Sequence, residues 1–209
     1  MLQSINPLIF IPKVRSIPEV INSWKLLPYH ILVVENYPEV TAYQYAKRYC
    51  LENSYSHLII CPDDLIINKE SFDILKDNMT NLNISNISGI TNFSEDNNDI
   101  LCCKLKQDEW ELRCQIPNGI YSSQFTGFAC QWIRRDLLPK LSFTGACTGG
   151  RGCLDKQFSI DMEDNTVWVN TEASFIHLSK QQRRELRLWR LKHQIRNTNI
   201  LLYNAGYVN

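Results

Sequence analysis

The sequence predicts an α/β fold whose central sheet is parallel in its first half and mixed in its second. Three observations carry this. Three short apolar runs rich in β-branched residues, Pro7-Leu-Ile-Phe-Ile11, His30-Ile-Leu-Val-Val34 and the run beginning at His57, are separated by two helix-length segments, 17–27 and 41–51. Strand, helix, strand, helix, strand at this spacing indicates parallel βαβ units. Beyond residue 99 the pattern changes, with apolar segments 100–105 and 110–116 flanking the polar Lys106-Gln-Asp-Glu109. That arrangement reads as an antiparallel hairpin.

The first strand is followed by a loop, Pro12 to Ser16, and Ile17 to Leu27 reads as a helix with Ser16 as cap and Pro18 in its first turn. The second strand closes at Glu35-Asn-Tyr-Pro38, and Thr41 to Leu51 forms the next helix. The third strand lies in His57-Leu-Ile-Ile-Cys-Pro-Asp-Asp-Leu-Ile-Ile67. A helix over 68–77 takes Asn68 as cap and carries Glu70 in its first turn. Residues 81–90 fit either helix or strand, and 92–99 form a polar loop. Gly127 to Ile133 is a strand, 134–141 a short helix, 154–162 a helix, and Val167-Trp-Val169 and Ala173 to Leu178 are strand-like.

With 209 residues and 44% hydrophobic composition, the chain can bury a substantial core. Its 22 basic and 22 acidic residues give bulk charge no bias toward nucleic acid, which is not expected as a partner. Seven of the basic residues and one acid fall between Lys180 and Arg196, leaving 15 basic and 21 acidic elsewhere, so an acidic body carries a basic tail. The eight cysteines contain no CxxC pair, and the first ten residues lack the pattern of a signal peptide, so a reducing, cytoplasmic setting is expected, with most cysteines acting as small buried hydrophobes. Sequons at Asn78, Asn83, Asn86 and Asn92 are read as chance in an Asn-rich chain.

Chemistry concentrates at three places. Asp63 and Asp64 end an apolar strand, where an open α/β sheet places its ligand crevice, although Pro-Asp-Asp is equally good turn chemistry. Asp155 follows a glycine-rich loop, and His177 ends an apolar strand-like run. One or two carboxylates with an imidazole suit a Mn²⁺ or Mg²⁺ ion that also holds a diphosphate. The loop Gly145-Ala-Cys-Thr-Gly-Gly-Arg-Gly152 has phosphate-loop spacing, but Arg151-Gly152 stands where Lys and Ser or Thr are needed, so it is read as a loop that closes over substrate. In the tail, 179–209, Leu188, Leu191 and Ile195 form one helical stripe and Leu186, Trp189 and His193 another, with basic residues between. One stripe is expected to face the domain. The other faces a partner, a second subunit as in a homodimer, or an anionic membrane surface.

The order of these features resembles the GT-A fold glycosyltransferases, especially the inverting family 2 type and its small archaeal and viral relatives, over residues 5–178. The resemblance implies a Rossmann-like three-layer α/β/α domain with a mixed, mostly parallel sheet over 1–178, and a basic amphipathic helical extension over 179–209. It implies that Ile11-Pro12-Lys-Val-Arg15 surrounds the nucleobase and that Glu35-Asn36 pairs with it. The family's DxD motif falls on Pro62-Asp63-Asp64, where Pro62 replaces the first Asp. Asp64 inherits the metal role, and Asp63 aids it or contacts ribose. Gly127 to Leu138 is similar to the segment lining the sugar pocket, Asp155 is the implied catalytic base, and His177 completes the metal site. The implied activity is metal-dependent transfer of a sugar from a UDP- or GDP-sugar to a hydroxyl of a glycan, lipid or protein acceptor, in the cytoplasm or peripherally at a membrane. The alternatives are a sugar-phosphate nucleotidyltransferase, against which the glycine-free Pro12-Lys-Val-Arg15 argues, and a binding module using the basic tail on nucleic acid or membrane.

Overall fold

The computed structural model describes residues 5–13, 17–35, 37–91, 103–105, 116–145, 154–162 and 166–178. The elements run β1 (Pro7–Lys13), α1 (Pro18–Trp24), β2 (His30–Glu35), α2 (Glu39–Glu52), β3 (His57–Ile60), β4 (Leu65–Ile66), α3 (Lys69–Asn81), β5 (Asn86–Ile90), β6 (Cys103–Lys104), β7 (Ile120–Ser123), β8 (Phe125–Thr126), β9 (Gln131–Arg134), a 3-10 helix (Arg135–Lys140), α4 (Leu154–Asp161), β10 (Val167–Ser174) and β11 (Ile176–His177). The chain divides into two compact units, Met1–His177 and Leu178–Asn209. The tail stripes expected over 186–195 lie outside the described residues.

The expected α/β architecture is present. Seven strands form one sheet in the order β2-β1-β3-β9-β5-β10-β7. β1 pairs in parallel with β2 and β3, Leu8 lying opposite both His30 and Leu58. β9 runs antiparallel between β3 and β5, and β7 antiparallel on the outer side of β10, while β5 and β10 are parallel. The carboxyl ends of β1, β2, β3, β5 and β10 therefore share one edge of the sheet, and β9 starts from that edge.

Alternation along the strands divides the core into two layers. On one face Leu8, Phe10 and Ile60 pack with α2 residues Ala42, Tyr43 and Ala46 and with Phe128, Phe143 and Phe158. On the other, Trp24 of α1 and Phe72 of α3 meet edge to face, and Phe72 packs on Trp132 of β9. Helices thus cover both faces, as a largely parallel sheet requires.

Asn68 caps α3 as its residue type predicts, its Oδ1 accepting from the N–H groups of Glu70 (3.1 Å) and Ser71 (3.4 Å). At α1 the capping position is Ile17, which makes no side-chain cap bond, and the helix ends at Trp24 rather than running on to Leu27. The ambiguous stretch before residue 90 resolves into the end of α3 and the wholly buried β5. Its strand character is disguised by polar residues that β10 and the segments leading into β9 and β10 satisfy. Asn86 Nδ2 donates to Thr166 C=O (2.8 Å), its Oδ1 accepts from Trp168 N–H (3.3 Å), and Ser88 Oγ donates to Ala129 C=O (3.2 Å). Of the expected hairpin, Cys103–Lys104 pairs with Phe125–Thr126, and 106–115 lie outside the described residues. The strand expected from Gly127 begins only at Gln131, because Phe128 and Cys130 hold positive φ of 57° and 58°. The two strand-like runs near the end are one long strand, β10, followed by the short β11.

Two positions test this packing. Gly89 N–H donates to Ala129 C=O (2.9 Å), and a Cβ there would stand 2.5 Å from both Ala173 O and the Phe175 ring. Gly89→Ala is expected to cost about 1–3 kcal/mol in denaturant unfolding, the range for overpacking a filled core. At the opposite end of the sheet, His57 is buried edge-on to Trp132, with Nδ1 2.9 Å from Ser56 Oγ. Burial, then the Arg134 charge, lowers its pKa to about 4. The folded pKa lies below the unfolded value, so the stability His57 contributes is complete above about pH 6.5 and is lost as pH falls toward 4. His57→Gln should flatten that acid limb, which in wild type approaches ~1.4 kcal/mol per pH unit.

Candidate functional site

After β3 the chain turns through Pro62–Leu65, closed by Leu65 N–H donating to Pro62 C=O (3.1 Å). Asp63 and Asp64 occupy the two central positions, so the segment is a turn. Turn carboxylates ordinarily face water, yet these are only 4% and 3% exposed. A buried carboxylate requires a compensating partner. For Asp64 one partner is His177, whose Nε2 lies 3.3 Å from Oδ1.

Local structure explains this meeting. Past the turn, β4 pairs antiparallel with β11, placing Ile66 opposite Ile176 and Leu65 opposite His177. The ribbon is fastened to α1: Trp24 Nε1–H donates to Leu65 C=O (2.8 Å), and Ile67 N–H donates to Ser23 Oγ (3.2 Å). Trp24 is itself fully buried and stacks on Phe175, two residues before His177, at 6.4 Å between ring centres. One indole therefore braces both strands of the ribbon.

Pro12 is buried in β1 opposite Val34, and Glu35 ends β2 exposed and opposite Lys13. Both lie at the sheet edge that carries the Asp turn. Arg15 and Asn36 lie outside the described residues, as does most of the glycine-rich loop, from 146 to 152. Asp155 is the second residue of α4 and half-buried, its Oδ1 accepting from Lys156 N–H (2.8 Å). Burial raises its pKa, opposed by backbone hydrogen bonds from Lys156 and from its own N–H. α4 is tied at its other end by Asp161, which accepts from Ser142 N–H (2.6 Å), Ser142 Oγ (2.9 Å) and Gln157 Nε2 (2.7 Å).

Sequence reasoning missed Tyr43. It lies one helical turn after Glu39 on α2, 4% exposed, with its ring against Phe10, Phe128 and Phe143 at 5.0, 6.0 and 5.6 Å. Burial raises the pKa of its phenol well above the ordinary value, and the negative charges of Glu39, Asp155 and Asp63 raise it further. The same phenol thus feels both Asp63 and Asp155, residues that belong to opposite halves of the chain. The Glu39 to Tyr43 spacing, one turn apart at the start of a helix leaving the second strand, was the available signal.

The loop before β9 supplies the remaining wall. Phe128 and Cys130 are left-handed, as is Phe143 (φ 47°), and each such non-glycine position costs of order 1–3 kcal/mol. Phe128 packs against Tyr43 and, edge to face at 5.6 Å, against Phe158 of α4. The backbone strain is thus held by the aromatic cluster beside the carboxylates.

No protein-family model and no curated protein matches the sequence. Solved structures do match. The crystal structure of A197 from STIV aligns with TM-score 0.59 at 16% identity, covering 85% of this chain and 91% of that one. The mannosyltransferase PcManGT from Pyrobaculum calidifontis, in complex with GDP-Man and Mn²⁺, aligns with TM-score 0.54 at 10% identity over 91% of this chain and 62% of its own. The fold is GT-A-like. The inositol-1-phosphate CTP transferase from T. maritima shares it, with TM-score 0.52 at 9% identity over 87% of this chain and 93% of that one. At these identities the likeness is one of fold.

Truncating the imidazole tests the contact directly. His177→Ala removes one partner of a buried carboxylate and is expected to destabilise the protein by about 1–3 kcal/mol at pH 7 in denaturant unfolding. Asp64→Asn, which removes the buried charge as well, should cost less.

Proposed function

We propose that the protein is a divalent-cation-dependent glycosyltransferase that moves a sugar from a nucleoside-diphosphate donor to an acceptor hydroxyl with inversion at the anomeric carbon. The observation that carries this reading is the buried Asp63–Asp64 turn meeting His177 at the carboxyl edge of the parallel strands, on a fold shared with a GDP-Man-bound mannosyltransferase. That edge is where open α/β sheets bind ligands.

Among the described residues no group of three His, Cys, Asp or Glu side chains forms a closed metal cage. A carboxylate and an imidazole suit Mn²⁺ or Mg²⁺ of the kind that takes one or two protein groups and fills its shell with water and substrate phosphates. Asp64 and His177 would hold the ion, with Asp63 aiding it or contacting ribose. When bound, the cation supplies charge neutralisation for the departing diphosphate.

The remaining roles fall to the chain itself. Pro12 and Arg15 shape the donor pocket, and Glu35 with Asn36 pairs with the base. Asp155 takes the proton of the acceptor hydroxyl as its oxygen attacks the anomeric carbon, on the face opposite the departing diphosphate. The raised pKa of Asp155 strengthens it as a base relative to an ordinary carboxylate. Residues 1–178 are the catalytic domain in this reading. The basic tail, 179–209, supplies in this reading the peripheral contact with an anionic surface on the cytoplasmic side, near a glycan, lipid or protein acceptor. No helix among the described residues is long and apolar enough to cross a membrane.

The second reading is a sugar-phosphate nucleotidyltransferase, favoured by the fold shared with the CTP transferase over nearly all of both chains. The products separate the two. Release of nucleoside diphosphate from a nucleotide sugar supports glycosyl transfer, whereas pyrophosphate released from a nucleoside triphosphate and a sugar phosphate supports nucleotidyl transfer.

Calorimetric titration with UDP- and GDP-sugars should show binding that requires Mn²⁺ and disappears in Asp64→Asn; no metal-dependent binding to any nucleotide sugar would sink the proposal. Asp155→Asn should lower kcat by at least about 100-fold, the lower bound for loss of a general base, with donor affinity retained. In wild type the acid limb of kcat/KM against pH should lie above the ordinary carboxylate range, since Asp155 must lose its proton to act. A limb unchanged in Asp155→Asn would remove Asp155 from that role.

A further inference from the structure

Cys61 and Cys130 occupy facing strand ends directly behind the site. The β3 and β9 register places Ile60 opposite Gln131, and the next position outward on each strand is Cys61 and Cys130. Both side chains are fully buried and free, and the two thiols are neighbours that interact electrostatically. Facing residues on antiparallel strands, as Ile60 and Gln131 are, have Cα atoms about 4.5 or 5.5 Å apart, and the two cysteines continue the chains by one residue from that pair. Both separations fall within the ~4.4–6.8 Å that a disulfide spans.

We propose that Cys61 and Cys130 are a redox-closable pair, and that their disulfide clamps the Asp63–Asp64 turn to the strained loop Gly127–Cys130. Closure removes the two S–H hydrogens and forms one S–S bond. The two electrons and two protons pass to a small oxidant, a peroxide reduced to water or a low-molecular-weight disulfide reduced to two thiols. Cys61 stands two residues before Asp63, and Cys130 is left-handed and two residues after Phe128. The clamp therefore joins the backbone segments that position a carboxylate and an aromatic wall of the site. Both thiols are shut away from solvent, so an oxidant reaches them only through transient opening of the strand ends and closure is slow. The same burial then shields the bond from reductants. It closes a loop of the whole segment from 61 to 130, and long loops give the larger stabilisation in the chain-entropy account.

The test uses the full chain, purified reduced and then incubated with hydrogen peroxide or oxidised glutathione at a temperature just below its unfolding midpoint. The protein is alkylated in denaturant, digested and read by mass spectrometry. The expected result is a peptide joined through Cys61 and Cys130 and lost on reduction with dithiothreitol, with a thermal midpoint several degrees higher in the oxidised wild type. Neither change should occur in Cys61→Ala, nor in Cys130→Ala should the first variant fold poorly. Recovery of both residues as alkylated thiols, or as sulfinic acids without a linkage, would overturn the proposal. This readout is independent of any glycosyl transfer, so failure of the functional reading leaves it intact and the reverse also holds.

Discussion

Burying two adjacent carboxylates in a reverse turn is unfavourable unless the surroundings compensate their charge, and much of this molecule is arranged around meeting that requirement. His177 reaches Asp64 because β11 folds back on β4, and that ribbon is held to α1 by the Trp24 indole, which bonds the Leu65 carbonyl while stacking on Phe175, and by the Ser23 hydroxyl, which accepts from Ile67 N–H. A turn on the surface would have needed none of this. Replacing such a buried pair by apolar residues is often neutral or stabilising, whereas removing one partner alone is costly.

On the other face of the sheet the compensation takes a different form. Tyr43, Phe128, Phe143 and Phe158 make a packed aromatic wall, and that wall holds the left-handed residues at 128 and 143 in place. Asp155 enters the same neighbourhood from α4, whose far end Asp161 ties to Ser142. A carboxylate with a raised pKa is thus carried at the start of a short helix whose far end is tied to the segment after the 3-10 helix.

The parallel half of the fold was legible because β1 and β3 are buried on both faces and read, like the edge strand β2, as uninterrupted apolar runs with helices between them. β5 was not, because Asn86 opens it, Ser88 sits at its centre, and the strand and loop partners that satisfy them are distant in sequence. The strand expected from Gly127 was read too long, since nothing in Phe128 or Cys130 announces a positive φ. Asp64 and His177 were both singled out from strand-end chemistry, but their contact depends on a register between β4 and β11 that two-residue strands cannot encode visibly. Tyr43 carries no signal in the sequence of its helix beyond the Glu39 spacing, since in packing terms it is an ordinary core aromatic and only its surrounding charges distinguish it.

The insertion of β9 between β3 and β5 has a consequence for synthesis. Asp64 precedes the strand that divides the sheet, and His177 follows it, so the contact between them joins the first half of the folding unit to its last strand. During translation the first three strands can pair locally as they emerge. Asp64 stays without its imidazole until β9, β10 and β11 have all left the ribosome and docked. A chain stopped short of residue 177 would carry most of the core yet lack the contact, so completion of the domain itself gates the appearance of the site.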